Sequence, residues 1–172
     1  MRLKTTLNVW SRRLHRWGSA ACALPLLIVL CTGIPLLLKK NIAWIQPPTA
    51  APAAAIAPPS ISFDQALNAA RSVPEAEVSG WDDVHRLDLR IQDGVLKVQA
   101  RSGWEIQVCT TTGAVLHHAQ RRSDLIESLH DGSFFHPAAK YFIFLHSAVI
   151  VLGLWLTGLW LWLMPYLRRR RA

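Results

Sequence analysis

Trp17 to Leu38 reads WGSAACALPLLIVLCTGIPLLL, a run without a charge, and Tyr141 to Met164 reads YFIFLHSAVIVLGLWLTGLWLWLM, a run in which only His146 ionises. At ~1.5 Å of rise per residue these stretches extend ~33 and ~36 Å as helices, enough to cross a hydrocarbon core of ~30 Å. A chain of 172 residues offers no soluble core that could bury two such helices. Both therefore read as membrane spans, paired as a hairpin. A cleaved signal peptide is the rival for the first: its leading segment is basic, and Ala53-Ala54-Ala55 offers a cleavage triplet. The apolar run is too long for a signal core, however, and Lys39-Lys40 separates it from the triplet, so a retained span is expected.

The charges outside these spans are partitioned. Arg2, Lys4, Arg12, Arg13 and Arg16 precede the first span, Arg168 to Arg171 follow the second, and the region from Lys39 to Lys140 holds 10 basic and 11 acidic residues. The net charge of +8 is thus confined to the two flanks. A basic pI raises nucleic acid as a partner, but a neutral middle between two basic ends is the signature of membrane topology, and no nucleic-acid partner is expected. The same rule places both termini in the cytoplasm and the middle of the chain outside it, in the inner membrane of a bacterium-like cell. Trp10, Trp17, Trp44, Trp160 and Trp162 stand where interfacial anchors belong.

Pro25 and Pro35 lie inside the first span, where neighbouring groups can satisfy the freed carbonyls. Thr32-Gly33 in the first span and Gly153, Thr157 and Gly158 in the second are small residues suited to close helix approach. His146, Gly153 and Thr157 fall on one helical face, which is expected to pack on the first span.

Between the spans the composition changes twice. Residues 39–60 are rich in Pro and Ala and read as a semi-extended spacer, a passive tether. Residues 61–122 read as a compact unit. Ser62 followed by Gln65 is a capping box, Phe63, Ala66, Leu67 and Ala70 form a helical stripe, and Pro74 closes that helix. Three runs then alternate with period two. Leu87, Leu89 and Ile91, then Leu96, Val98 and Ala100, then Trp104, Ile106 and Val108 take one face. A two-residue turn at Asp93-Gly94 predicts Ile91 opposite Leu96 and Leu89 opposite Val98. A three-residue loop at Arg101–Gly103 predicts Val98 opposite Ile106, and Thr110–Gly113 turns into a last strand near Ala114 to His118. The expected product is one helix on a one-sided antiparallel meander. Residues 123–140 follow as an amphipathic segment at the membrane surface, with Leu125, Ile126 and Leu129 on its apolar side.

Leu14-His15-Arg16-Trp17 entering a helix that carries Thr32-Gly33 resembles the opening of PepSY-associated transmembrane proteins. The helix and meander ending in Thr112-Gly113-Ala114-Val115-Leu116 resemble the PepSY module, Leu129-His130-Asp131-Gly132-Ser133-Phe134-Phe135 resembles the stretch before that family's last helix, and Thr157-Gly158-Leu159-Trp160-Leu161-Trp162 its ending. These motifs run from residue 12 to 165. The resemblance implies a membrane α+β protein: a two-helix transmembrane hairpin displaying one extracytoplasmic PepSY-like module. The chain then divides into a basic N-terminus (1–16), a span (17–38), a linker (39–60), the module (61–122), an interfacial segment (123–140), a second span (141–164) and a basic tail (165–172).

The family includes haem-bearing membrane reductases associated with iron and siderophore uptake, and soluble PepSY modules resemble inhibitory propeptides of metallopeptidases. The resemblance therefore offers haem b as a cofactor, with His15, His130 and His146 as candidate ligands, His136 as a weaker metal candidate, and inhibition of a peptidase as a third role. Two helices and one module are fewer than those reductases carry, which favours an accessory or regulatory subunit that docks a protein partner, a second copy included.

The residues offer little other chemistry. The sequence has no G-x-S-x-G, H-E-x-x-H, C-x-x-C or phosphate-binding Gly-rich loop. His117 and His118 are strand neighbours that face opposite ways, and His85 reads as solvated. Cys22 and Cys31 lie in the first span, which leaves Cys109 as a free thiol or an intermolecular bridge, with the inert thiol preferred. His130 is either a ligand or a helix-end cap, and His146 either a functional ionisable group or a neutral imidazole bonded to the other helix. His15 and His146 stand ~20 Å apart across the membrane and cannot be the two axial ligands of one haem. A bis-histidine site needs His130 or His136 folded over His146, or a second copy.

Overall fold

The computed structural model describes residues 2–52 and 58–169. The Ala53-Ala54-Ala55 triplet and the tail residues Arg170 and Arg171 lie outside the described residues. The chain divides into two units, residues 1–34 with 127–172, and residues 35–126.

In the first unit, helix α1 (Arg2–Leu37) absorbs the basic N-terminus and the span in one element and runs through Pro25 and Pro35 without a break. The second span starts earlier than its hydropathy indicates. A short helix (Pro137–Ala139), a π-helical stretch (Lys140–Leu145) and a long helix (His146–Arg169) follow one another directly. Each of Arg12–Leu37 and Pro137–Leu163 contains a stretch long and apolar enough to cross a membrane.

The two spans form an antiparallel pair. The less exposed positions of α1 include His15, Gly18, Cys22, Pro25, Val29 and Thr32, in steps of three and four. Along the facing span they are Phe144, Ser147, Val151, Leu154, Gly158 and Leu161, with the same spacing. Alternating steps of three and four keep one face of each helix toward the other. Gly18 is the tightest point of this seam: a Cβ there would lie 3.3 Å from both Ile150 and Leu154. The face expected to pack, His146 with Gly153 and Thr157, is instead exposed. The reason is angular. Steps of three and four from Phe144 give a line that misses 146, 153 and 157, and the side chains on that line turn toward α1.

In the second unit, helix α2 (Phe63–Arg71) starts on the expected capping box, with the Ser62 hydroxyl accepting from Gln65 N–H and the Gln65 side chain from Ser62 N–H. It buries Ala66, Leu67, Ala69 and Ala70 against the sheet. Phe63 leaves the stripe: it is 71% exposed and meets Trp81 edge-on, ring centroids 6.3 Å apart. Strands β1 (Val84–Arg90), β2 (Val95–Ala100), β3 (Trp104–Cys109) and β4 (Val115–Gln120) form an antiparallel meander in the order β1-β2-β3-β4.

The β2–β3 register is the expected one, with Val98 opposite Ile106 around Gly103 at φ +86°. The β1–β2 register differs: Leu89 faces Leu96 and Leu87 faces Val98. A 3₁₀ turn at Ile91–Asp93 with Gly94 in the left-handed conformation replaces the two-residue hairpin. Because the slip is an even number of residues, every side chain keeps its face and the core is conserved.

The meander is not one-sided. Its second face is buried along β2 and β3, at Val95, Lys97, Gln99, Glu105, Gln107 and Cys109. Residues 45–50, expected to belong to a free spacer, form a strap that supplies part of that cover. Ile45 and Pro47 are buried, and Ala50 N–H and Pro48 C=O both bond to Gln107. The chain enters and leaves this module through one clasp. The Ile45 carbonyl accepts from Arg122 N–H and Ser123 N–H at 3.0 and 2.9 Å, and the Arg122 guanidinium lies over the Trp44 ring. Helix α3 (Ser123–Asp131) begins there. The short helix at Pro137–Ala139 is α4 and the long one at His146–Arg169 is α5.

Candidate functional site

Two places concentrate polar chemistry, one in each unit. The first is the set of histidines on the helix pair. A Gly132 turn at φ +82° ends α3, and a Cβ at Gly132 would collide with the Phe144 ring, so only glycine lets the corner close. Asp131 bonds Ser133 N–H and pairs with Lys140 at 2.7 Å, and Phe135 stacks on Phe144. The motif 129–135 is thus the corner that aims His130 at α1.

His130 Nδ1 lies 2.9 Å from the Thr32 hydroxyl, and its ring edge rests where Gly33 has no side chain, 3.5 Å from an ideal Cβ. The Thr32 hydroxyl donates to the Ile28 carbonyl at 2.6 Å. Its single proton is therefore in use, so His130 Nδ1–H is the donor, which in the neutral imidazole leaves the lone pair on Nε2. This contact is neither the expected helix-end cap nor a shared ligand site. His146 Nδ1 lies 2.9 Å from the Tyr141 carbonyl, which only accepts, so His146 too carries Nδ1–H and an open Nε2. Its bond is to its own span rather than to the other helix. His136 has the opposite tautomer. Its Nδ1 accepts from Ala138 N–H as the N-cap of α4, which spends the lone pair a metal would need. His15 faces the seam with Nδ1 buried and, among the described residues, unpartnered.

Geometry separates the three candidate haem ligands. Gly18 meets Ile150 and Leu154, so the level of Thr32 and His130 corresponds to about residue 138 of the second span. His146 lies about eight residues further in, ~12 Å along the axis, and His15 lies ~25 Å from Thr32 along α1. Axial ligands of one iron must both approach to about 2 Å. The chain taken singly does not fit a bis-histidine haem, and His136, turned to its cap, does not fold over His146. Among the described residues no three His, Cys, Asp or Glu side chains converge as a metal site. Of the small residues expected to pack, Gly33 receives His130, while Gly153 and Gly158 have nothing within 4 Å of a Cβ, and Thr157 bonds back to the Gly153 and Leu154 carbonyls. Gly18, which nothing in the sequence distinguished from the small residues around it, is the close contact instead.

The second place is the covered face of the sheet. Glu105, fully buried, accepts from Lys97 Nζ at 3.0 Å, Arg121 Nη1 at 2.8 Å and Gln107 Nε2 at 2.9 Å. Arg121 continues to Asp124 at 2.8 Å. Burial opposes the Arg121 charge, but its bonds to Asp124 and Glu105 outweigh that and raise its pKa. Gln99 accepts from Arg86 Nε, which orients its amide. Alternation alone marks these side chains as a solvated face, and no local signal announces their cover.

Cys109 lies at the end of this face, 3% exposed. The hydroxyls of Thr111 and Thr112, with their backbone N–H groups, hold its thiol pKa down to about 6. Its burial keeps it from solvent and from reaction partners.

The whole is a membrane α+β protein, two long apolar helices and a helix-on-meander module. The family description "PepSY-associated TM region" matches residues 12–172, and the chain belongs to that family. No curated protein and no solved structure matches it.

Proposed function

We propose that this protein is an accessory or regulatory subunit of the inner membrane, with both termini cytoplasmic, that docks a protein partner through its module on the periplasmic side. The observation that carries this reading is the aromatic pair Phe63–Trp81, edge-to-face and 71% and 43% exposed on the module's surface. Aromatic anchors of this kind are typical of binding surfaces, where a few rings supply most of the affinity. The basic flanks of the spans support the topology.

A photo-crosslinking residue at position 63 in intact cells should give one discrete protein adduct, lost in Trp81→Ser. Absence of any adduct from positions 63 and 81 would exclude docking by this surface.

A second reading, a haem-binding component of an iron or siderophore reductase, is favoured by the open Nε2 atoms of His130 and His146. The single chain does not supply both axial nitrogens, so this reading requires a second copy, and a colourless preparation from haem-replete cells would end it. Restraint of a periplasmic peptidase rests on the module's likeness alone.

A further inference from the structure

The covered face of the sheet is built unlike a core. Burying Lys97, Glu105, Gln99, Gln107 and Arg121 is less favourable than burying apolar side chains of the same volume, so stability alone does not account for them. Their arrangement has another use. Gln107 donates through Nε2 to the Pro48 carbonyl at 2.8 Å and accepts at Oε1 from Ala50 N–H at 2.7 Å. A carbonyl and the N–H two residues on point the same way in a β-strand, so the side-chain amide bonds backbone groups spaced as a neighbouring strand would present them.

The match is incomplete. Gln99 Nε2 and His117 Nδ1, on the strands either side of β3 and on this same face, are buried without a partner among the described residues, as is Gln46 Oε1 on the strap. Gln99 is 2% exposed. Its orientation is held by Arg86 Nε at its oxygen, so the orphaned N–H cannot be repaired by turning the amide. Native interiors leave few such atoms, and a strap evolved as a permanent layer of the core would not leave three of them.

We infer that this face is a binding groove for an extended polypeptide segment, held in cis by the strap from Ile45 to Ala50. A partner's segment takes the strap's place, keeping the two bonds to Gln107 and adding a carbonyl for Gln99 Nε2 and a backbone polar group for His117 Nδ1. Small or proline residues suit the positions that Pro47, Pro48 and Thr49 now occupy. The inference goes beyond the docking at Phe63 and Trp81 proposed above: it places a second surface, with its own ligand class, on the sheet face opposite α2.

The test uses the full chain in detergent and a fluorescein-labelled synthetic peptide of the strap sequence Trp44-Ile45-Gln46-Pro47-Pro48-Thr49-Ala50-Ala51. Ala50→Pro removes the N–H that Gln107 accepts and leaves the sheet untouched. By fluorescence polarisation the peptide should bind the Ala50→Pro chain at least tenfold more tightly than wild type, where the strap competes. Adding Gln107→Met should return binding to the wild-type level. Equal binding by wild type and Ala50→Pro, with amide protection in β2 and β3 retained, would overturn the groove. So would loss of that protection in Ala50→Pro, which would make the strap a structural layer, or binding that ignores Gln107→Met. Crosslinking from position 63 distinguishes the two failures: an adduct there with no peptide binding here leaves docking intact through another surface.

Discussion

Asp131 shows how far one side chain's surroundings set its behaviour. Partial burial pushes its carboxyl up, but hydrogen bonds from Lys140 and from the Ser133 hydroxyl and N–H outweigh this and bring it to about 2. A depressed carboxyl contributes stability that is complete above its unfolded pKa of about 4 and is lost as pH falls through the folded value, so the window is roughly pH 4 to 2. The pair is about a third to a half exposed, which limits the contribution to less than about 1 kcal/mol. Lys140→Met should return the Asp131 titration toward pH 4, followed by carboxyl NMR, and flatten the acid dependence of unfolding in that window. At this scale the motif 129–135 was legible as a motif, but not its purpose. That Gly132 avoids Phe144 depends on the start of the second span, and that His130 reaches Thr32 depends on α1, far earlier in the chain. No local pattern contains either.

Among the elements, the helix pair separates hydrophobicity from facing. Both spans were readable as spans because uniform apolarity over the ~20 residues of a membrane crossing suits neither a loop nor the small core of this chain. Which side of the second span meets the first was not readable, because lipid and helix are equally apolar and both sides of α5 look alike. The seam through Phe144, Ser147, Val151 and Leu154 makes a sharp prediction. Gly18→Leu drives its side chain into Ile150 and Leu154 and should cost about 1–3 kcal/mol of hairpin stability. Gly153→Leu, with nothing within 4 Å of its Cβ, should leave it unchanged. Thermal unfolding of both variants in one detergent is the comparison, and equal losses would relocate the seam.

Across the whole chain, the long-range event is the return of the segment after α1 onto the sheet. The clasp of Ile45 with Arg122 and Ser123 joins the two ends of the module, and the Glu105 cluster stands behind it. Glu105→Gln removes the anion from between Lys97 and Arg121 and leaves buried charge uncompensated, an effect of about 3–5 kcal/mol when a buried pair is broken. Hydrogen exchange at β2 and β3 should become faster by at least a hundredfold. Adding Lys97→Met should recover a large part of that protection, and no recovery would show that Lys97 and Glu105 are not coupled.

The amino-acid sequence by itself determined the two spans, the capping box of α2, the alternation that sorts each strand's faces and the family motifs. All of these are written in contiguous residues, where hydropathy, period and turn chemistry act locally. The tertiary structure decided the strap over the polar face, the side of α5 that packs, the shift of β1 against β2 and the tautomer of His130. Each of those depends on which atom from elsewhere in the chain arrives within hydrogen-bond or van der Waals range, and a local pattern carries no record of that arrival.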